Sequence, residues 1–116
     1  MGLESRAVYR YIPSSPRKMR LLADLVRGLP VLRAMEILKF HKKHASNDMY
    51  KVVKSAVSNL VNNNDDQKIS PENVFISRIY VDQGPTAKRI MPAPMGRAYR
   101  IRKRSCHLTV IVETKN

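Results

Sequence analysis

The clearest chemical signal in the sequence is a stretch of basic residues that contains no acid. Between Asp82 and Glu113 the chain has no carboxylate side chain, while seven cations occur there. These cations are Lys88, Arg89, Arg97, Arg100, Arg102, Lys103 and Arg104. Arginine offers a planar fork of donors that fits phosphate and stacks on bases, and so many like charges repel one another unless a polyanion lies against them. The stretch, with Tyr99 inside it, therefore predicts nucleic-acid contact; a solvated basic surface is the weaker alternative.

Alternation within this stretch suggests how the arginines are presented. In a β-strand over 99–104, Arg100, Arg102 and Arg104 would point to one face and the residues between them to the other. The sequence therefore predicts one continuous row of three arginines.

Two further basic groups lie on predicted helices. Arg17, Lys18 and Arg20 fall in the first turns of a helix, where a cation opposes the helix dipole at a cost of about 0.3–1 kcal/mol each. Stability does not explain that placement, so we predict phosphate contact for these three residues. The lysines of 39–43 lie near a helix end, where dipole compensation and nucleic-acid contact explain them equally well.

An apolar, proline-rich segment interrupts the basic stretch. It consists of Ile90, Met91, Pro92, Ala93, Pro94, Met95 and Gly96. Proline cannot donate to a β-ladder, so the segment is typical of a hairpin tip and not of a central strand. The tip could fold back on the body, but we favour a wedge against an RNA or peptide surface.

Catalytic and metal-binding patterns find little support. The chain has no Walker loop, no GxGxxG and no HExxH motif. His41 and His44 are far from Cys106 and His107 in the sequence, which is the wrong spacing for a structural zinc site. We expect Cys106 and His107 to pack or hydrogen-bond at a strand start. The sequence predicts no enzyme, no metal and no cofactor.

Composition agrees with a nucleic-acid partner. The 116 residues include 22 Lys plus Arg against 9 Asp plus Glu, for a formal net charge of +13, which favours a polyanion through counterion release. Hydrophobic residues make up 43% of the chain, enough for one folded domain with a modest core. The single cysteine points to a reducing compartment, and we expect neither a signal peptide nor a membrane span.

The elements that would position these residues are three amphipathic helices and a few strands. Apolar positions 19–26, 31–38 and 49–60 recur at helical spacing. The predicted elements are an edge strand at 7–12, a helix from its cap Ser15 to Gly28, a helix after Pro30, a helix capped by Ser46, and strands at 74–81 and 108–112. We expect a single domain over 1–116, with a body of about 1–80 and 107–116 and a hairpin of about 81–106. Arms of about 15 residues would reach roughly 50 Å.

Several motifs, in order along nearly the whole chain, resemble those of the ribosomal protein L-twenty-two family. They are Ser15-Pro16-Arg17-Lys18, Asp24 to Gly28, Val81 to Pro85, Lys88-Arg89, Pro92, Gly96-Arg97-Ala98, and His107 to Val110. This family is found at the polypeptide exit tunnel of the large ribosomal subunit. At position 93 the family commonly has an arginine, so no phosphate contact is carried over to Ala93.

The resemblance implies an α+β fold, a three-helix body packed on a small antiparallel sheet with a long protruding basic β-hairpin. It implies binding to large-subunit rRNA, a part in early assembly, contact with neighbouring ribosomal proteins, and a hairpin that lines the exit tunnel, where its tip could meet the nascent peptide. We expect a cytoplasmic ribosome, with an organellar one as the alternative.

Two rival functions would also use a basic surface. An architectural DNA-binding protein has basic β-arms, with tip prolines that wedge between base steps. Such proteins are usually dimers, whereas one chain here supplies a complete helical body, so we expect no obligate homo-oligomer. A basic protein that lies on a membrane surface would carry its charges along an amphipathic helix, not on a hairpin.

Overall fold

The chain folds into three helices, a main sheet and a separate two-stranded ribbon. The structure, a computed structural model, describes residues 3–64, 68–85, 87–92 and 98–114, and for 87–92 and 98–103 it describes the backbone. The elements are β1 (Glu4–Ile12), α1 (Pro16–Val26), α2 (Val31–Phe40), α3 (Ala45–Asn63), a 3-10 turn (Pro71–Asn73), β2 (Val74–Gln83), β3 (Ala87–Pro92), β4 (Ala98–Lys103) and β5 (Cys106–Thr114).

The main sheet is antiparallel and places β5 between β1 and β2. Leu108, Val110 and Val112 of β5 are fully buried, because α1 packs on β2 while α3 packs on β1 and β5. The predicted α+β fold is confirmed, and β1 is the edge strand that the sequence indicates. Within the described ranges, no helix has the length and apolarity needed to cross a membrane.

Helix α1 begins and ends as its sequence predicts. The Ser15 hydroxyl accepts a hydrogen bond from the Lys18 backbone N–H at 3.3 Å, and Pro16 occupies the first helical position. Its inward stripe at 19, 22, 23 and 26 is fully buried. Gly28 follows the helix with φ +80°, a left-handed conformation that side chains rarely adopt.

Helix α3 starts two residues earlier than a cap at Ser46 predicts, and Ser46 is not its cap. The helix begins at Ala45, and Ser46 is buried within the first turn. Its hydroxyl donates to the carbonyl oxygens of Lys43 at 2.6 Å and His41 at 3.3 Å. The cap prediction was wrong because the preceding turn presents carbonyls that need a donor, and Ser46 satisfies them.

The two chain segments that join the ribbon to the main sheet lie very close together. β3 and β4 pair with each other in antiparallel register, from Ala87 opposite Lys103 to Pro92 opposite Ala98. Below them the Gly84 N–H donates to the Ser105 carbonyl at 2.9 Å, and a Cβ at position 84 would lie 3.2 Å from that backbone. Glycine therefore permits the close approach. The chain is elongated, 66 × 24 × 17 Å.

Two carboxylates face each other at the end of the main sheet that lies away from the ribbon. Glu4 of β1 is paired with Glu113 of β5, and Arg78 donates to Glu4 at 3.2 Å. A side-chain hydrogen bond with Glu4 raises the pKa of Glu113; burial and the negative charge of Glu4 add to the rise, and Arg78 opposes it. Like charges directly opposite each other destabilise a sheet.

We expect Glu113→Gln to stabilise the protein at neutral pH. A raised folded-state pKa favours folding below the unfolded pKa, and this contribution is lost as pH rises through the folded pKa. Glutamine keeps a donor for Glu4 at every pH, so the melting temperature of the variant should exceed that of the parent at pH 7 and approach it near pH 4. Thermal melts across this range measure the difference. The control, Asp82→Asn at the opposite end of the main sheet, removes a charge far from the pair, because Asp82 lies opposite His107; an equal gain there would contradict the explanation.

Candidate nucleic-acid interface

The ribbon gathers cations from both of its strands. It holds six of the predicted RNA-binding residues: Lys88 and Arg89 in β3, and Tyr99, Arg100, Arg102 and Lys103 in β4. Lys88 is paired directly with Arg102 across the ribbon. Opposed like charges destabilise a strand pair, and a two-stranded ribbon is marginal by itself. The arrangement suits a surface that an anionic partner covers.

The predicted tip is only partly described. Ile90, Met91 and Pro92 belong to β3 and lie opposite Arg100, Tyr99 and Ala98. The predicted contacts of Ala93, Pro94, Met95, Gly96 and Arg97 fall on residues outside the described ranges.

Arg104 does not extend the row of arginines that alternation predicts. β4 ends at Lys103, and Arg104 lies exposed in the two-residue connection to β5. The strand ends there because Ser105 turns the chain: its hydroxyl donates to the Pro85 carbonyl at 2.7 Å, and its own carbonyl accepts from Gly84. Arg104 instead lines a cleft on the body with Lys18 and Lys43.

The cations of α1 divide into two kinds. Arg17 and Lys18 are exposed, as contact with a partner requires. The Arg20 guanidinium instead donates to the Val81 carbonyl oxygen of β2, from Nη2 at 3.1 Å and Nε at 3.3 Å. Arg27 is the residue that follows α1, two helical turns beyond Arg20. Its guanidinium donates to the Ile79 carbonyl oxygen at 3.0 Å and forms an ion pair with Asp24 at 2.6 Å.

These two arginines protect an open sheet edge. β2 is an edge strand, so its outward carbonyls lack a neighbouring strand. Further along the same edge, the backbone of the connection after α1 forms the hydrogen bonds. The Gly28 N–H donates to the Ile76 carbonyl at 3.1 Å, and the Ile76 N–H donates to the Leu29 carbonyl at 3.0 Å. The sequence predicts only RNA contact for Arg20, because the spacing of residues along α1 does not show that β2 lies beside this helix.

Cys106 and His107 serve the structure at the start of β5, as predicted. Cys106 is fully buried, and burial raises the pKa of its thiol; Asp48 raises the pKa further, whereas Arg20 lowers it. Burial therefore favours the protonated thiol, which is the less reactive form of cysteine. His107 Nδ1 accepts the Tyr11 N–H at 3.0 Å, and the two rings meet edge to face at 4.9 Å. In the described part of the chain, no three His, Cys, Asp or Glu side chains gather as metal ligands.

Comparison with known proteins identifies the family of this chain. The family model "Ribosomal protein L22p/L17e" matches residues 7–113. The chain belongs to this family. It is therefore a structural component of the ribosome and not an enzyme.

Three relatives match over nearly their full length, and each is called "Large ribosomal subunit protein uL22". The protein of Chlorobium phaeobacteroides is 52% identical over 114 residues, 98% of this chain and 97% of that protein. The protein of Chlorobium chlorochromatii is 54% identical and that of Chlorobaculum tepidum 50% identical, each over 96% of this chain and 93% of the relative. The family resemblance drawn from the sequence motifs is confirmed.

We expect Arg20→Gln to lower the free energy of unfolding by about 1 kcal/mol, the net worth of an ordinary hydrogen bond. Stability decreases because the Val81 carbonyl loses the hydrogen bonds that the Arg20 guanidinium donates to it. Urea unfolding measures it. Arg17→Gln is the matched control, since Arg17 makes no side-chain bond within the described ranges and should leave stability almost unchanged. Equal stabilities for the two variants would rule out the edge-protecting role.

Proposed function

We propose that this chain is a structural constituent of the large ribosomal subunit that binds large-subunit rRNA, supports its assembly and lays its ribbon along the polypeptide exit tunnel. The observation that carries the proposal is the ribbon itself, where cations on two paired strands lie within a stretch free of acid from Asp82 to Glu113. Family membership supports the ribosomal setting.

Electrostatics supports RNA as the partner that holds the ribbon. Each phosphate neutralised by a cation releases condensed counterions, so a chain of net charge +13 gains binding free energy from a polyanion. RNA phosphates would also screen the like charges of Lys88 and Arg102, which occupy paired positions of the ribbon. Neutralising phosphates from different RNA segments would let them approach each other, which is how the chain would support assembly.

The relatives support the setting. They are large-subunit proteins of bacteria, so the expected site is a cytoplasmic ribosome, with neighbouring ribosomal proteins as further partners. The family resemblance supports a hairpin that lies in the exit tunnel, next to the nascent peptide. The apolar residues Met91 and Pro92 at the end of β3 suit a tip that meets RNA or peptide surface without attracting acidic side chains.

We expect Arg100→Gln with Arg102→Gln to weaken binding to large-subunit rRNA. The slope of log affinity against log salt should fall by about 0.7–0.9 for each phosphate that is no longer neutralised. Glutamine keeps most of the length and the hydrogen-bonding capacity, so a weaker affinity would report charge. Titrations of labelled rRNA across a salt series measure both affinity and slope.

The control for these arginines removes two charges from the helical body. Lys42 and Lys54 are exposed, so Lys42→Gln with Lys54→Gln should change affinity and slope much less. A control variant that binds more weakly than the arginine variant would show that the ribbon is not the main RNA-binding element. Duplex DNA of equal length should compete poorly; displacement of rRNA mole for mole would favour the architectural DNA-binding function instead.

The tunnel location has its own test. A photo-crosslinking amino acid at position 91, incorporated into assembled ribosomes, should form crosslinks to a stalled nascent chain because the tip lies along its path. The same amino acid at position 42, on the helical body, is the control. Crosslinks from both positions or from neither would contradict the proposed placement of the tip.

A further inference from the structure

A cleft of about 860 Å³ opens on the body where three separate segments meet. Lys18 comes from α1, Lys43 from the connection between α2 and α3, and Arg104 from the connection between β4 and β5. The three cations lie far apart in the sequence, and the fold alone brings them together. A cleft in which one sign of charge predominates focuses the field and raises the local concentration of counter-ions.

None of these three cations is neutralised within the described part of the chain. The ion pairs found there belong to Arg27, Arg33 and Arg78. Asp48 also lies on the cleft wall, yet it forms no ion pair of 4 Å or less with them, and the cleft retains a net positive charge. Lys18 additionally opposes the dipole of α1, whose first turn contains no acid.

We propose that this cleft binds the sugar–phosphate backbone of an RNA strand, as a second contact surface beside the ribbon. The inference rests on the proposed function and names a site for it on the body. Its volume lies within the range of ligand sites, about 300–1,000 Å³, which accommodates a nucleotide and not merely one small ion. The lysines and Arg104 contact phosphate oxygens, while Tyr9 and Pro13 on the wall pack against ribose.

The cleft separates neighbours that look alike in the sequence. Lys42 and Lys43 are adjacent and both exposed, but of the two only Lys43 lines the cleft. The pair therefore offers one cation inside the cleft and one outside it, at adjacent positions of the chain.

The first experiment compares Lys43→Gln with Lys42→Gln, and Lys18→Gln with Lys54→Gln, in the full chain; Lys54 is exposed on α3 and does not line the cleft. Each cleft variant should lower the salt slope of rRNA binding by about 0.7–0.9, so that its deficit relative to the parent narrows about threefold between 50 and 200 mM salt. The variants outside the cleft should stay near the parent. Equal effects inside and outside would overturn the site. Melting curves should coincide, because both lysine side chains are exposed.

A footprint on the parent protein tests contact without mutation. Amine acetylation read by mass spectrometry should show that bound rRNA protects Lys18 and Lys43 and leaves Lys42 reactive. Inorganic phosphate at the same phosphate concentration and ionic strength should protect neither lysine of the cleft. Protection by inorganic phosphate equal to that by rRNA would identify a free-anion site, and absence of protection by bound rRNA would remove the site altogether.

A variant of opposite sign completes the test. Asp48→Asn takes a negative charge from the cleft wall, so rRNA should bind more tightly; unchanged or weaker binding by the folded variant would count against the cleft. Failure of the proposed function would appear differently. It would show as a parent that does not bind rRNA in a salt-dependent way, whereas failure of the cleft alone leaves parental binding and the effect of Arg100 and Arg102 intact.

Discussion

The rest of the structure depends on the central position of β5. This strand pairs with β1 on one side and β2 on the other, and its residues 108, 110 and 112 are fully buried. It supplies the apolar surface on which helices pack, and its first residue, Cys106, lies opposite Gln83, where the main sheet ends. The chain therefore anchors the ribbon through the same strand that anchors the core.

This anchoring lets one chain combine a neutral core with a charged extension. The buried side chains are almost entirely aliphatic, and buried polar side chains such as Ser46 are hydrogen-bonded. The cations of the ribbon lie beyond the end of the main sheet, so their mutual repulsion need not be balanced inside the core. The body can fold by burying apolar surface, while the proposed RNA partner would balance the charge of the ribbon.

Features decided by local sequence could be predicted, and features decided by tertiary packing could not. Ser15, Pro16 and Gly28 mark the ends of α1 because caps and positive φ depend on neighbouring residues alone. The same reasoning predicted Ser46 as a helix cap, but its hydroxyl donates to two carbonyls of the preceding turn instead. The contact of Arg20 with Val81 spans 61 residues, and helix periodicity contains no information about it.

Hydrogen bonding separates structural from interfacial cations more sharply than charge counting does. Arg20 and Arg27 direct their donors to carbonyls of β2, and those donors are no longer available to a phosphate. Lys18, Lys43 and Arg104 face a cleft without an ion pair in the described part of the chain, which leaves their donors free. An RNA-binding surface in a basic protein is thus identified by cations that the fold gathers and does not itself use. By that criterion the RNA interface that we propose for this chain includes its body as well as its ribbon.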